Sequence, residues 1–487
     1  MARARARRAE AVAVSRPGAL LLARAVVGVG VLLSAAYWVA VAFARREQLH
    51  LGAFDFAFFD QVVWNTAHGR FFETTFVPYN FAGQHTQPVL LLFAGAYRLG
   101  AGAMSLLVVQ AAVCALAAVP LFEAGRRLRL PTVVAAAAAL AYLANPYLHR
   151  ALAFDFHPET MVALPAFGAL WAFAAGRPRL GAAVALSALL FKEDAAFVVL
   201  ALALAAWSLD ARREARALAA GAAAWAVLTV FVLMPLVRDG QPSDLVERYG
   251  AVLGGREGLA GVLWSFTHPV EVLRVALAPE RLGTAVTFVL ASGPWLLLAP
   301  LQALALLPGL ALGLLSSHGA QQELAFHYGV QLVPLAAIAG LFGARRLLLV
   351  LPAGAPAAGV LAGAMIVVAA VGLASVGPAS PLAAGGPSEA HRAAVERAVA
   401  LVPEGAAVSA QSNLAARVAH RRQLWEFPGQ WERADLVLVD RYGFRSTQSL
   451  DAGFDAALED VRARGRLLFE EDGVALYDVS GPPEAAR

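Results

Sequence analysis

Asp55, Asp60, His85, Asp155, His157, Glu159, Lys192, Glu193, Asp194 and His327 are the residues through which this chain could do chemistry. They are acids, imidazoles and a single ammonium in a chain that is 59% hydrophobic and only 15% charged. Ionisable groups beside a hydrocarbon phase are costly and are kept there for a reason. Asp55 and Asp60 lie in FDFAFFDQVVWN, five residues apart. Side chains on one helix face are three or four apart, so the pair reads as one functional and one structural acid rather than an acid/base dyad. FDFHPE places Asp155, His157 and Glu159 at a spacing of two. In an extended loop that spacing points three oxygen or nitrogen donors one way, as a divalent cation such as Mg2+ or Mn2+ requires; a salt-bridge network within the loop is the other reading. Lys192 is the only lysine in a chain that otherwise uses arginine. Its ammonium suits a phosphate, or else it pairs with Glu193 or Asp194. His85 suits a phosphate or a carbonyl. His327 and the adjacent Tyr328 are either functional groups or anchors at the bilayer surface.

The elements that must position these groups are membrane helices. Soluble domains carry roughly 25% charged residues, and the mean hydropathy here is +0.62. Several runs approach the ~20 apolar residues that cross a ~30 Å hydrocarbon core. Alternating amphipathic strands are missing, which excludes the pattern of a β-barrel. Cys114 is the sole cysteine, so intramolecular disulfides and a cysteine-built zinc site are excluded. No HExxH, GxGxxG or P-loop occurs, and no nucleic-acid partner is expected.

Arg3, Arg5, Arg7 and Arg8 form a basic cytoplasmic anchor in residues 1–17. The apolar run that follows is too long for a signal peptide core. Placing every arginine cluster inside gives about 11 spans between residues 18 and 376, with an outer loop at 45–101 that carries juxtamembrane helices. The run 180–209 reads as two short spans meeting at Lys192-Glu193-Asp194, and 283–316 as two more. Residues 237–282 read as a polar outer loop. The same count puts all the acids, imidazoles and the lysine named above on the outer side. A linker at 377–388 leads to an α/β domain at 389–487, also outside. Its strands are expected at 406–410, 422–426 and 435–440, with a closing hairpin turning at Asp472-Gly473. No internal repeat of the kind found in inverted-repeat transporters is present.

Several motifs together resemble one family. D-x4-DQ-x2-WN-x3-G from Asp55, FDFHPE, LLFKED, H-Y-x5-P at 327–334 and the tail VSAQSNL, RRQLWEFP and ADLVLVD resemble the DUF2079 family of bacterial membrane proteins over nearly the whole chain. That family is in turn similar to the GT-C glycosyltransferases, among them aminoarabinose transferases and protein mannosyltransferases. The resemblance implies a GT-C-like polytopic α-helical fold in the plasma membrane. It also implies transfer of a sugar from a polyprenyl-phosphate donor to a glycan, lipid or protein acceptor on the outer face. By position, Asp55 matches the acid of the family's first outer loop, because Gly69 falls near the glycine that follows it. Phe56 stands where those enzymes have a second acid, and Asp60 is the alternative base. His85 with Pro88 stands at a Lys-Pro-Pro stretch, and LLFKED at a Leu-Thr-Lys-Gly turn. This gives Lys192, His85 and His327 a donor-phosphate role and leaves Asp155, His157 and Glu159 for metal or acceptor. A lipid or solute transporter, or a non-catalytic envelope assembly protein, is the alternative.

Overall fold

Backbone in hydrocarbon must satisfy its own hydrogen bonds, so long apolar runs become helices. The computed structural model describes residues 17–351, 354–445 and 453–481; the anchor arginines Arg3, Arg5, Arg7 and Arg8 lie outside these. Among the described residues, five helices are long and apolar enough to cross a bilayer alone: Pro17–Glu47, Met104–Arg127, Arg212–Arg238, Leu332–Val350 and Ala355–Val376. Pro269–Ala276 and Pro279–Ser292 qualify as a sixth if taken together, but they meet at 62°. Other apolar runs form shorter helices. Thr132–Leu143 and Ala163–Ala174 have 12 residues each, about 18 Å at ~1.5 Å per residue. The two expected short spans around Lys192 are helices Pro178–Ser187 and Ala196–Ser208, with 3-10 turns at Ala188–Leu190 and Glu193–Ala195 between them. Pro294 and Pro300 each open a new short helix, since a proline at the first turn loses no hydrogen bond. Gly343 lets Leu332–Val350 touch the turn beneath it. A Cβ there would lie 1.9 Å from the Trp295 carbonyl oxygen.

The stretch expected to be a polar loop, 237–282, is instead mostly helical. It folds into Asp244–Leu253, Gly258–Thr267 and Pro269–Ala276. Its apolar residues recur at helical spacing, a pattern that its charged residues mask in composition alone.

Arg24, near the start of the first helix, pairs at 2.9 Å with Glu123 near the end of Met104–Arg127, and Arg126 joins the same carboxylate at 2.7 Å. The opposite end of the first helix leads directly into the Asp55 segment. The Arg24–Glu123–Arg126 group and the Asp55 segment therefore lie at opposite ends of the first helix.

The C-terminal domain is a five-stranded sheet: β1 (Val408–Ala410), β2 (Leu424–Glu426), β3 (Leu436–Asp440), β4 (Arg466–Glu471) and β5 (Val474–Asp478), in the order β2-β1-β3-β5-β4. β1 runs parallel to β2 and β3, while β5 is antiparallel to β3 and β4. β3, LVLVD, is buried along its whole length, as a run without polar alternation implies for a central strand. The domain does not hang from its linker. Leu49, Ala53 and Ala57 of the membrane part share one apolar cluster with Val408, Leu424 and Leu438. Thr75 Oγ1 bonds both the carbonyl and the amide of Leu424, at 2.5 and 2.9 Å.

Candidate functional site

The site is built around Asp55. Its backbone sits at φ 83°, ψ −79°, a strained γ-turn geometry that costs on the order of 1–3 kcal/mol and persists only where the surroundings over-determine it. They do so here. The Gly52 amide donates to Asp155 Oδ2 at 3.0 Å, and the Ala53 amide donates to Ser412 Oγ of the C-terminal domain at 3.2 Å. Arg45 holds Asp155 Oδ1 at 2.7 Å and the His50 carbonyl at 2.7 Å, and it also reaches the Phe154 carbonyl. The turn is thus clamped from the first helix, from FDFHPE and from the tail domain.

Asp55 Oδ1 lies 3.2 Å from His157 Nε2. The His157 ring stacks on His327 with centroids 3.5 Å apart and planes at 15°. The two imidazoles are driven in opposite directions. Burial opposes a charge on His157, but the hydrogen bond and charge of Asp55, with Glu159 beyond, raise its pKa. Burial first, and then the charges of His157, Lys192, His85 and Arg248, hold His327 well below the ordinary range. A proton on this stack is therefore favoured on His157 over His327. Among the described residues His327 Nδ1 has no hydrogen-bond partner, which leaves it available to a ligand.

Lys192 Nζ meets Glu159 Oε1 at 2.9 Å, and Gln87 Nε2 reaches Glu159 Oε2 at 3.1 Å. Burial opposes ionisation of Glu159, yet the adjacent ammonium and His157 bring its pKa down to about 2. The partner of Lys192 is thus Glu159 rather than its sequence neighbours. Glu193 takes His85 Nδ1 at 2.9 Å and the Thr86 amide at 3.0 Å, and Asp194 takes Gln331 at 2.6 Å. Lys192, His85 and His327 thereby meet in one cluster with Asp55.

Asp155, His157 and Glu159 do not converge as a three-ligand loop would. Asp155 turns to Arg45, His157 to Asp55 and Glu159 to Lys192. Among the described residues no group of three or more His, Cys, Asp or Glu side chains is placed to hold a metal. The donor set expected for Mg2+ or Mn2+ does not fit a cation as folded, because both of its carboxylates already face one.

Asp60, 1% exposed, is bonded at 2.9 Å by Tyr97 Oη and at 2.9 Å by His420 Nε2 of the C-terminal domain. It latches the two parts together and does not face the Asp55–His157 pair. Sequence reasoning passed over Arg45, Tyr97, Ser412 and His420. The LWEFP tail motif lies a few residues beyond His420, which was the available signal. The latch has a pH signature. Burial opposes protonation of His420, but Asp60 raises its pKa above the ordinary 6.5. Its contribution is therefore complete below pH 6.5 and is lost as pH rises through the raised value. Thermal unfolding in lipid should show a midpoint that falls across that interval for the native chain. His420→Gln should flatten this step, and an unchanged step would assign it to another group.

Apolar helices long enough to span a bilayer, a clamped acid–imidazole–ammonium cluster beyond the end of the first of them and a tail domain packed against that cluster define a polytopic helical membrane protein. The chain belongs to the DUF2079 family of predicted membrane proteins, whose model matches residues 45–476. No curated protein matches it. Among solved structures it is similar to ArnT from Cupriavidus metallidurans in the apo state (TM-score 0.49) and bound to undecaprenyl phosphate (TM-score 0.48). Each match is 14% identical and covers 93% of this chain and 99% of the other.

Proposed function

We propose that this protein is a membrane glycosyltransferase that moves a sugar from a polyprenyl-phosphate donor to an acceptor at the outer face of the plasma membrane, with its N-terminus cytoplasmic and its α/β domain outside. The observation that carries this reading is the pairing of Asp55 with His157 in one cluster with Lys192, His85 and His327. Transfer needs a base for the acceptor and positive or hydrogen-bonding groups for the departing phosphate, and the cluster supplies both. The motif resemblance agrees with it.

In the proposed step Asp55 takes the proton of the acceptor hydroxyl or amine as that atom bonds to the anomeric carbon. The bond from the anomeric carbon to the phosphate oxygen breaks, and its electron pair leaves with polyprenyl phosphate. An ammonium has three N–H donors; Lys192 uses one on Glu159 and aims the others at the leaving oxygen. His85, and His327 in the tautomer with hydrogen on Nδ1, donate to the phosphate. His157, bonded to Asp55 at 3.2 Å, holds the carboxylate in its strained turn, and the proton taken from the acceptor stays on Asp55.

Purified protein in lipid, supplied with a panel of polyprenyl-phosphate sugars, should release polyprenyl phosphate with at least one of them. The release should be followed with and without added divalent cation. Failure both to release and to bind every donor would move the reading to a transporter or an assembly protein.

A further inference from the structure

The segment from Gly258 to Leu277 carries a large apolar surface that none of the described residues covers. On helix Gly258–Thr267 the exposed large apolar residues are Leu259, Leu263 and Phe266, and Phe266 is 78% exposed. On helix Pro269–Ala276 and the residue after it they are Val270, Leu273 and Leu277. Spacings of three and four put each set on one face. The opposite face packs inward: Ser265 Oγ bonds the Val252 carbonyl at 2.5 Å, and Gly261 lies against Leu253 and Arg256. Exposed apolar rows of this extent mark an interaction surface.

We infer that this surface lies on the bilayer itself, at the boundary of headgroups and acyl chains, and that the segment forms the membrane-lying wall of the site. Continuity identifies the occupant. Helix Pro279–Ser292, which qualifies as a span only with Pro269–Ala276, exposes Leu282, Val286 and Leu290, a stripe with a repeat of four. The 62° bend at residues 277–278 turns that lipid-facing stripe from the bilayer normal toward the bilayer plane. A helix with one apolar face and charged residues at its edges, here Glu271 and Arg274, settles at that depth. The segment packs through Ser265 on helix Asp244–Leu253, and it is that helix which reaches toward the site. Arg248 Nη1 contacts Tyr328 Oη and Gln321 Oε1, each at 3.4 Å, and the Ser317 amide donates to the Arg248 carbonyl at 2.6 Å. The segment and the helix beneath it therefore lie between the exposed apolar face and Tyr328, the neighbour of His327. If the glycosyl-transfer reading holds, this is where a lipid-borne phosphate enters from the bilayer.

The test needs no activity, so its failure is separate from failure of that reading. The full chain is placed in phospholipid nanodiscs with an environment-sensitive thiol label after Phe266→Cys, and separately after Leu273→Cys. Cys114 is buried and does not compete for label. Tyr442→Cys, 68% exposed on the C-terminal domain, is the aqueous control. Labels at 266 and 273 should be quenched at least threefold more by lipids brominated near the headgroup than by aqueous iodide, and the label at 442 should show the reverse. Iodide quenching equal to that at 442 would overturn the inference. Shielding from both quenchers would also overturn it, since a protein partner or a second copy would then cover the face.

Discussion

Asp55→Asn is expected to lower the rate of polyprenyl phosphate release by about 10²- to 10⁴-fold, the range that loss of a positioned general base produces, while the protein still folds and binds donor. Asparagine is the informative replacement because it tolerates positive φ far better than most residues. The turn at φ 83° then survives, and the hydrogen bond to His157 can be kept through the amide oxygen. Alanine would remove the base and relax the turn together. The companion change, Asp60→Asn, should act differently. Asp60 is bonded to Tyr97 and His420 across the domain interface, so the expected loss is in thermal stability and domain docking, with donor affinity preserved. A full rate in Asp55→Asn together with a lost rate in Asp60→Asn would transfer the base role to Asp60. Thermal unfolding measured beside each rate keeps the two cases apart.

The contrast between these two acids shows how much of the molecule was legible in the sequence. Segments fixed by local pattern stand close to where pattern puts them. The break at Lys192 interrupts an apolar run with three charges, and the hairpin turns at Asp472-Gly473, where Asp472 and Gly473 both take positive φ. Side-chain partners were less legible because they are set by packing between distant elements. Asp60 meets a histidine 360 residues away, and Asp155 meets Arg45 across 110 residues. Spacing alone made FDFHPE look like three ligands facing one way. Arg45 and Lys192, buried within reach of two of its acids, pull them apart instead, because a buried carboxylate is tolerable only beside a cation or several donors. The stretch 237–282 misled for a related reason. Its charged residues set the average, while the row Leu259, Leu263 and Phe266 emerges only once the backbone is helical.

Lys192 gives the second large effect, and two mechanisms contribute to it. In Lys192→Met the carboxylate of Glu159, 2% exposed, is left buried without its cation. Breaking such a pair from one side costs about 3–5 kcal/mol, so the variant should unfold at markedly lower temperature or accumulate poorly. Lost activity in that variant alone would prove nothing about phosphate. Lys192→Met combined with Glu159→Gln removes both charges and keeps an acceptor for Gln87, so most of the stability should return. If Lys192 also stabilises the departing phosphate, release in the double variant should stay down by about 10²- to 10³-fold, as when a charge-stabilising donor is removed. Native release from a stable double variant would make Lys192 a counter-ion for Glu159 and nothing more. The pair also has its own acid limit. Glu159 titrates near 2 in the folded chain against an ordinary 4.5, so its contribution is complete above pH 4.5 and fades as pH falls toward 2. That acid step should be present in the native protein and absent from the double variant, which separates the ion pair from the His420 latch and its loss at the alkaline side of pH 6.5.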